Sequence, residues 1–293
     1  MNTKSNALTP YTLIAPVMLL LLLIVLLPEL WAIVLSLMDY RLGQPIRFIG
    51  FGNYSRILSD GQFWASIYRN LLFTGAAVGS QMLLGLAIAL LLATTFKMQR
   101  LWVSLILAPM AASPAVAAVT WKYLLNFNIG PINYLLETIG GERLQWLADP
   151  TLAMVSVILV YVWHSTPHVV LMLYPARMTF PTPLYEAARI DGAGPWQSFL
   201  YITLPLLRPA LYVALVFRIM ISFRVFGWVW TLTQGGPVGA TEILPIYLYR
   251  QGFRYWRFGT AAAVAFIMLV LTLILASYQI RSMYKRMFQA DYN

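Results

Sequence analysis

His164 and His168 are the only histidines among 293 residues, and the chain contains no cysteine. Their i, i+4 spacing puts both imidazoles on one face of a helix, with Ser165 beside them and Tyr161 one turn earlier. Three kinds of chemistry suit such a face. A metal site is one, but His-x3-His with no carboxylate in reach is a weak ligand set. Hydrogen bonding between packed helices is another, and direct contact with a polar ligand is the third. The absence of cysteine removes disulfides, Fe–S clusters, thiolate zinc and thiol catalysis. A second group is Arg218 and Ser222, one turn apart in an otherwise apolar run, while Arg224 points elsewhere. Ionisable residues in apolar spans are costly, so they read first as functional. Glu186-Ala187-Ala188 and Asp191-Gly192-Ala193 form a third group, on a polar segment between apolar runs. No His-Glu-x-x-His, paired-aspartate or Gly-x4-Gly-Lys-Ser/Thr pattern occurs, so neither intramembrane hydrolysis nor nucleotide hydrolysis has a reactive centre here.

The elements that must carry these residues follow from composition. The chain is 60% hydrophobic and 10% charged, with 20 Lys and Arg against 10 Asp and Glu. A soluble domain carries about 25% charged residues, so an ordinary soluble enzyme is excluded. The net charge of +10 is scattered between apolar runs, which suits anionic lipid headgroups and not nucleic acid. Crossing the hydrocarbon core takes about 20 apolar residues. Six stretches qualify, at 11–38, 70–96, 101–125, 151–176, 206–233 and 258–281. Continuous apolar blocks argue against a β-barrel, whose strands alternate. The first block lacks a small-residue cleavage site at the usual distance, so it reads as an uncleaved helix and not a signal peptide. The prediction is an all-α polytopic membrane protein of one transmembrane domain, 1–293. Between spans, 97–100 is a tight turn, 41–69 is long and polar, and 126–150 is a structured loop with one short helix. Gly235-Gly236-Pro237 is expected to end the fifth helix. Lys and Arg divide evenly between the two faces when counted with the amino terminus inside, so charge bias does not orient the chain.

Segment 181–205 is too polar to span. Pro181 and Pro183 end the preceding turn, Leu184 to Ile190 can make two helical turns, and Gly192-Ala193-Gly194 interrupts them. Pro195 can start a second helix. An ordinary amphipathic interfacial loop would fit that description. The spacing is more specific, however. Glu186, Ala187, Ala188, Gly192, Ile202, Leu204 and Pro205 match every defining position of the EAA motif, and the Asp191-Gly192-Ala193 form resembles its carbohydrate-uptake branch. The chain therefore resembles the permease subunits of carbohydrate ABC importers. The Pro28 region, Phe51-Gly52-Asn53-Tyr54, Pro109, Pro114 and Gly235-Gly236-Pro237 extend the likeness along most of its length.

That resemblance implies a type I ABC importer permease fold with six transmembrane helices, and a cytoplasmic coupling helix formed by the loop 181–205. Glu186, Ala187, Ala188, Asp191, Gly192 and Ala193 would then couple to an ATPase subunit. Both termini would be cytoplasmic, in a bacterial inner membrane. The implied partners are a second homologous permease, two ATP-binding subunits, a periplasmic or lipid-anchored solute-binding protein, a carbohydrate and membrane lipids, with no nucleic acid. ATP and magnesium would sit on the ATPase subunits, and this chain would bind no cofactor or metal. The resemblance also implies that the stretch with Tyr161, His164, Ser165 and His168 lines a midplane sugar site, with Arg218 and Ser222 as further substrate candidates. Many relatives look acidic where this chain has Ile221 and Gly227, which leaves Arg218 short of counter-charge. An anionic cargo, a sulfonated, phosphorylated or uronic glycoside, is one reading of that deficit; a neutral oligosaccharide or polyol is the other. An ion-coupled secondary transporter is disfavoured because the spans lack acids beyond Glu29.

Overall fold

The computed structural model describes residues 9–94 and 97–288, with side chains for 11–94 and 97–281. Phe96, at the end of the second apolar block, lies outside the described residues. Among the described residues, five helices are long and apolar enough to cross a membrane: Tyr11–Ser36, Gly61–Leu92, Pro150–Met178, Pro195–Phe223 and Phe258–Arg281. A sixth crossing exists if the bent pair Gln99–Ala111 and Pro114–Leu124 counts as one.

The chain divides into two compact units. The first joins the residues up to Trp64 with Tyr247–Leu271. It opens with α1 (Thr9–Leu21) and α2 (Leu27–Ser36), linked by a π turn at Leu22–Leu26. That turn sits just ahead of Pro28, whose ring would clash with a carbonyl one turn back in a regular helix. The wider loop, closed by the Leu27 N–H on the Leu22 carbonyl, gives the ring room. A two-stranded hairpin follows, β1 (Met38–Asp39) against β2 (Arg47–Phe48), then α3 (Gly52–Leu58). Asn53 is the fastener of this unit. Its amide donates to the carbonyls of Ser36 and Met38 at 2.9 and 2.8 Å, and its Oδ1 accepts from Thr260 at 3.1 Å.

The second unit comprises Ala65–Ile246 with the chain from Thr272. It holds most of α4 (Gly61–Leu92), then α5 (Gln99–Ala111), α6 (Pro114–Leu124), α7 (Pro131–Thr138) and α8 (Pro150–Met178). After these come α9 (Thr182–Ile190), α10 (Pro195–Ser198), α11 (Leu204–Phe223) and α12 (Gly227–Thr233). The chain continues through α13 (Leu244–Tyr249) into α14 (Phe258–Phe288). Asp149 starts α8 by accepting the Thr151 and Leu152 N–H groups, with Pro150 in the first turn. The core gathers Phe73, Ala117, Ala118, Val157, Tyr161 and Trp228 from α4, α6, α8 and α12. Gly85 of α4 lies so close to α8 that a Cβ there would stand 2.6 Å from Val169, so only glycine permits this approach.

Three elements differ from the apolar pattern. The stretch 101–125 is two helices meeting at 95°, a broken span or a re-entrant pair. Pro114 disfavours helical geometry at Ser113, which sits at ψ 131. The helix expected from 70 begins at Gly61, because helical backbone extends past the apolar limit through Tyr68 and Arg69. The block 206–233 contains a break: α11 stops at Phe223, and Gly235-Gly236-Pro237 ends α12 instead. At its other end α11 is continuous with α10 through a π turn at Phe199–Thr203, placed ahead of Pro205 as the first π turn is ahead of Pro28.

Candidate functional site

The acidic segment forms the short helix α9, followed by a tight reversal. Gly192 has φ +82, a left-handed conformation in which a side chain would be strained. Its N–H donates to the Arg189 carbonyl at 3.1 Å, and the Ala193 N–H donates to the Ala188 carbonyl at 2.8 Å. This pair of bonds is a Schellman stop, which satisfies carbonyls that would otherwise end the helix unpaired. The Gly194 N–H is then held by the Gln197 side chain at 2.9 Å, which starts α10. Glu186, Ala187, Asp191 and Gly192 are exposed; Ala188 and Ala193 are half-buried. Ile190 beside them is 87% exposed and Trp196 is 69% exposed. Both are large apolar side chains left open on a polar, exposed turn. Neither stood out in the sequence, where an isolated Ile or Trp in a polar segment carries no signal.

The second constellation lies inside the helices. Arg218 is 1% exposed. Its Nε donates to Gln81 Oε1 at 2.8 Å and its Nη2 to the Tyr161 hydroxyl at 3.0 Å. Tyr161 shares a further hydrogen bond of 3.1 Å with Ser222. No carboxylate pairs with this guanidinium among the described residues. A cation in such a place needs hydrogen bonds to be tolerable at all, and here amide and phenol oxygens supply them. The structure thus joins Arg218, Ser222 and Tyr161 in one network and closes it off from the surface of this chain. Gln81 was not among the sequence candidates, because a lone Gln in an apolar helix has no pattern. It belongs to a face of α4 with Asn70 and Thr74. Asn70 donates to the Phe223 carbonyl at 3.1 Å, while Asn70 Oδ1, Thr74 Oγ1 and Gln81 Nε2 are buried without partners.

The histidines take separate places. His164 Nε2 donates to the Ala112 carbonyl at 3.2 Å. Ala112 ends α5 at the 95° bend, so its carbonyl has lost its helical partner, and inside a membrane such a group must be satisfied by protein. The ring also packs 4.7 Å from Trp228. His168, half-buried, bonds back to the Ser165 carbonyl of its own helix at 3.3 Å. The two rings are 6.3 Å apart, and Ser165 is buried beside them. Arg224 is exposed and turns back to the Met220 carbonyl. Trp163 packs edge-on against Trp121.

A cleft of about 510 Å³ opens where α6 ends, lined by Lys122, Asn126, Gln145, Trp146 and Thr233 among others. The connecting loop 126–150 is held there by Asn133, which accepts from Leu144 N–H and Trp146 Nε1 and donates to the Phe127 and Leu144 carbonyls. At the exposed rim, the Arg143 guanidinium grips Glu137 at 2.6 and 2.9 Å. That contact lowers the Glu137 pKa below its ordinary value and raises that of Arg143.

These features define a multi-pass helical membrane protein of the importer-permease type: bundled spans with internal polar seams, and one exposed helix–turn–helix between two of the spans. The chain belongs to the family of binding-protein-dependent transport system inner membrane components, whose description matches residues 7–282. It is 35% identical over 294 residues to the diacetylchitobiose uptake system permease protein of Streptomyces coelicolor, covering 97% of this chain and 89% of that one. It is 33% identical over 264 residues to the trehalose/maltose transport system permease protein of Thermococcus litoralis, covering 90% and 89%. Among solved structures, a chain of a bacterial ABC transporter that imports the acidic polysaccharide alginate superposes with a TM-score of 0.83 at 23% identity, over 95% of each chain. At that identity the likeness shows the fold: a type I ABC importer permease.

Proposed function

We propose that this protein is one permease subunit of an ATP-driven importer that moves a sugar or glycoside across a bacterial inner membrane by alternating access. The observation that carries the reading is the exposed α9 turn, with its EAA-motif residues and uncovered Ile190, in a member of this family. Glu186 and Asp191 present acidic groups to a groove on an ATPase subunit, and Ala187 and Ala188 allow close approach. Gly192 and Ala193 fix the angle of the turn. Because α10 runs through the π turn into α11, a displacement of the turn passes directly into a span. Two such ATPases carry ATP and magnesium, a second homologous permease completes the pathway, and a solute-binding protein delivers the cargo from outside. The α9 turn and both termini are cytoplasmic. Relatives named for diacetylchitobiose and for trehalose/maltose uptake support a carbohydrate cargo.

The test is a reconstituted complex with its ATPases and binding protein. ATP hydrolysis should rise with loaded binding protein and sugar should accumulate in the vesicle. Glu186→Lys should remove both while the chain still inserts. Hydrolysis that ignores both the binding protein and Glu186→Lys would overturn the reading.

One observation favours an anionic glycoside over a neutral one. The Arg218 charge is answered only by neutral oxygens, which leaves it without a counter-charge that an anionic cargo supplies. Tyr161, His164, Ser165, His168 and Ser222 are the remaining substrate-facing candidates; in this conformation they reach cargo only after the network opens. Transport of a sulfonated or uronic glycoside should fall more in Arg218→Gln than transport of a neutral disaccharide. Equal loss on both would leave the neutral reading.

A further inference from the structure

A second cavity, of about 460 Å³, lies between the carboxyl end of α8 and the α9–α10 turn. Its polar lining is Arg177, Arg189, Tyr185, Thr203, Ser198 and Thr94, and no acidic residue contributes. Arg177 is fixed in place. Its guanidinium stacks 4.5 Å from the Tyr185 ring and 5.5 Å from the Phe180 ring. Tyr185 is itself pinned by a 3.0 Å hydrogen bond between its hydroxyl and that of Thr203. Arg189 follows Tyr185 by one helical turn and so shares its face, whereas Glu186 does not line the cavity. Among the described residues neither guanidinium has a carboxylate partner.

Two planar guanidinium forks with no carboxylate beside them form an oxyanion receptor, while the lining hydroxyls of Thr94, Thr203 and Tyr185 are engaged within the chain. A carboxylate is planar and meets two forks only when both lie near its plane, while a phosphoryl group offers three oxygens in a tetrahedral arrangement and meets forks from two directions. The volume exceeds that of a bare phosphate and leaves room for the carbons it esterifies. Basic pockets at the cytoplasmic ends of spans are where anionic headgroups are held. We propose that this cavity binds a phosphoryl group, either on an anionic lipid or on a soluble phosphate ester. Its occupancy bridges Arg177 on α8 to Arg189 on α9 and so sets the stiffness of the joint between the spans and the exposed turn. The site is separate from the Arg218 network and does not depend on the cargo.

The experiment uses the complete importer in nanodiscs of phosphatidylcholine alone or mixed with phosphatidylglycerol. Lipid retained on the complex is read by native mass spectrometry, and inorganic phosphate is titrated calorimetrically in the phosphatidylcholine discs. Because Arg177 also packs between two rings, the exposed Arg189 gives the deciding variant, Arg189→Gln. Lys122→Gln, outside the cavity, is the control. Wild type and Lys122→Gln should bind alike, and Arg189→Gln about tenfold more weakly. Retained phosphatidylglycerol identifies a lipid source; calorimetric binding of phosphate without it identifies a soluble one. Binding of neither, or equal binding by wild type and Arg189→Gln, overturns the proposal, and it does so without touching the transport reading.

Discussion

The α9 turn and the Arg218 network hold charge in opposite ways. In α9, Glu186 and Asp191 are exposed and form no salt bridge among the described residues, on a backbone locked by the Gly192 stop. In the network, Arg218 is fully enclosed and every contact to it is neutral. The first arrangement costs little in the isolated chain and leaves its charges available to another subunit. The second is costly unless the hydrogen bonds are kept, so it couples α4, α8 and α11 to one another. A transporter needs both kinds: a rigid handle whose energy is spent on a partner, and an internal latch whose energy is spent on one packing of the spans.

The contrast can be broken most directly at Arg218. Arg218→Ala leaves Gln81 Oε1 and the Tyr161 hydroxyl without their donor and opens a cavity, and should lower stability by about 3 kcal/mol. Thermal unfolding of purified protein reads this, and no change would mean that the network is not a latch. Gln81→Leu should follow, at about 1–2 kcal/mol, because it deletes the acceptor of Arg218 but also removes one buried, unpaired amide NH2 group. Gly192→Ala forces a side chain into the left-handed region at about 1 kcal/mol; melting should shift slightly while stimulated ATP hydrolysis falls steeply. Glu186→Gln should leave stability within about 0.5 kcal/mol, so any loss of ATPase coupling in that variant belongs to the interface. The smallest effect is expected at the loop. Arg143 depresses the Glu137 pKa chiefly through its hydrogen bonds, so the pair adds stability above the ordinary carboxylate range. That contribution disappears as pH falls through the lowered folded value, and Arg143→Gln should flatten this part of the pH profile. Both groups are exposed, so added salt should shrink it further.

Much of the helical content was legible because apolar runs of bilayer length leave few alternatives. The α9 turn was legible for a different reason: its Pro, Gly and small residues act through local backbone geometry, which depends on neighbours in sequence. The bend at 112–114 was half-visible, since Pro114 and Pro109 announce irregularity but do not give an angle. Its consequence was not visible. That the Ala112 carbonyl is answered by His164 requires knowing that α8 passes the bend, and no spacing rule relates residues 52 positions apart.

Gln81 makes the same point inside the network. The resemblance implied acids at positions 221 and 227 that this chain lacks, which left Arg218 short of counter-charge with no partner visible in the sequence. The fold supplies Gln81 from 137 positions away, and Tyr161 from 57. Sequence alone determined the class of protein, the membrane-length helices and the acidic turn, because each rests on contiguous residues and on solvent that is apolar or aqueous over their whole length. Tertiary structure decided which polar groups are paired, which are enclosed and which remain open to a partner. A buried charge is tolerable only when donors and acceptors from separate helices meet around it, and that meeting is fixed by packing.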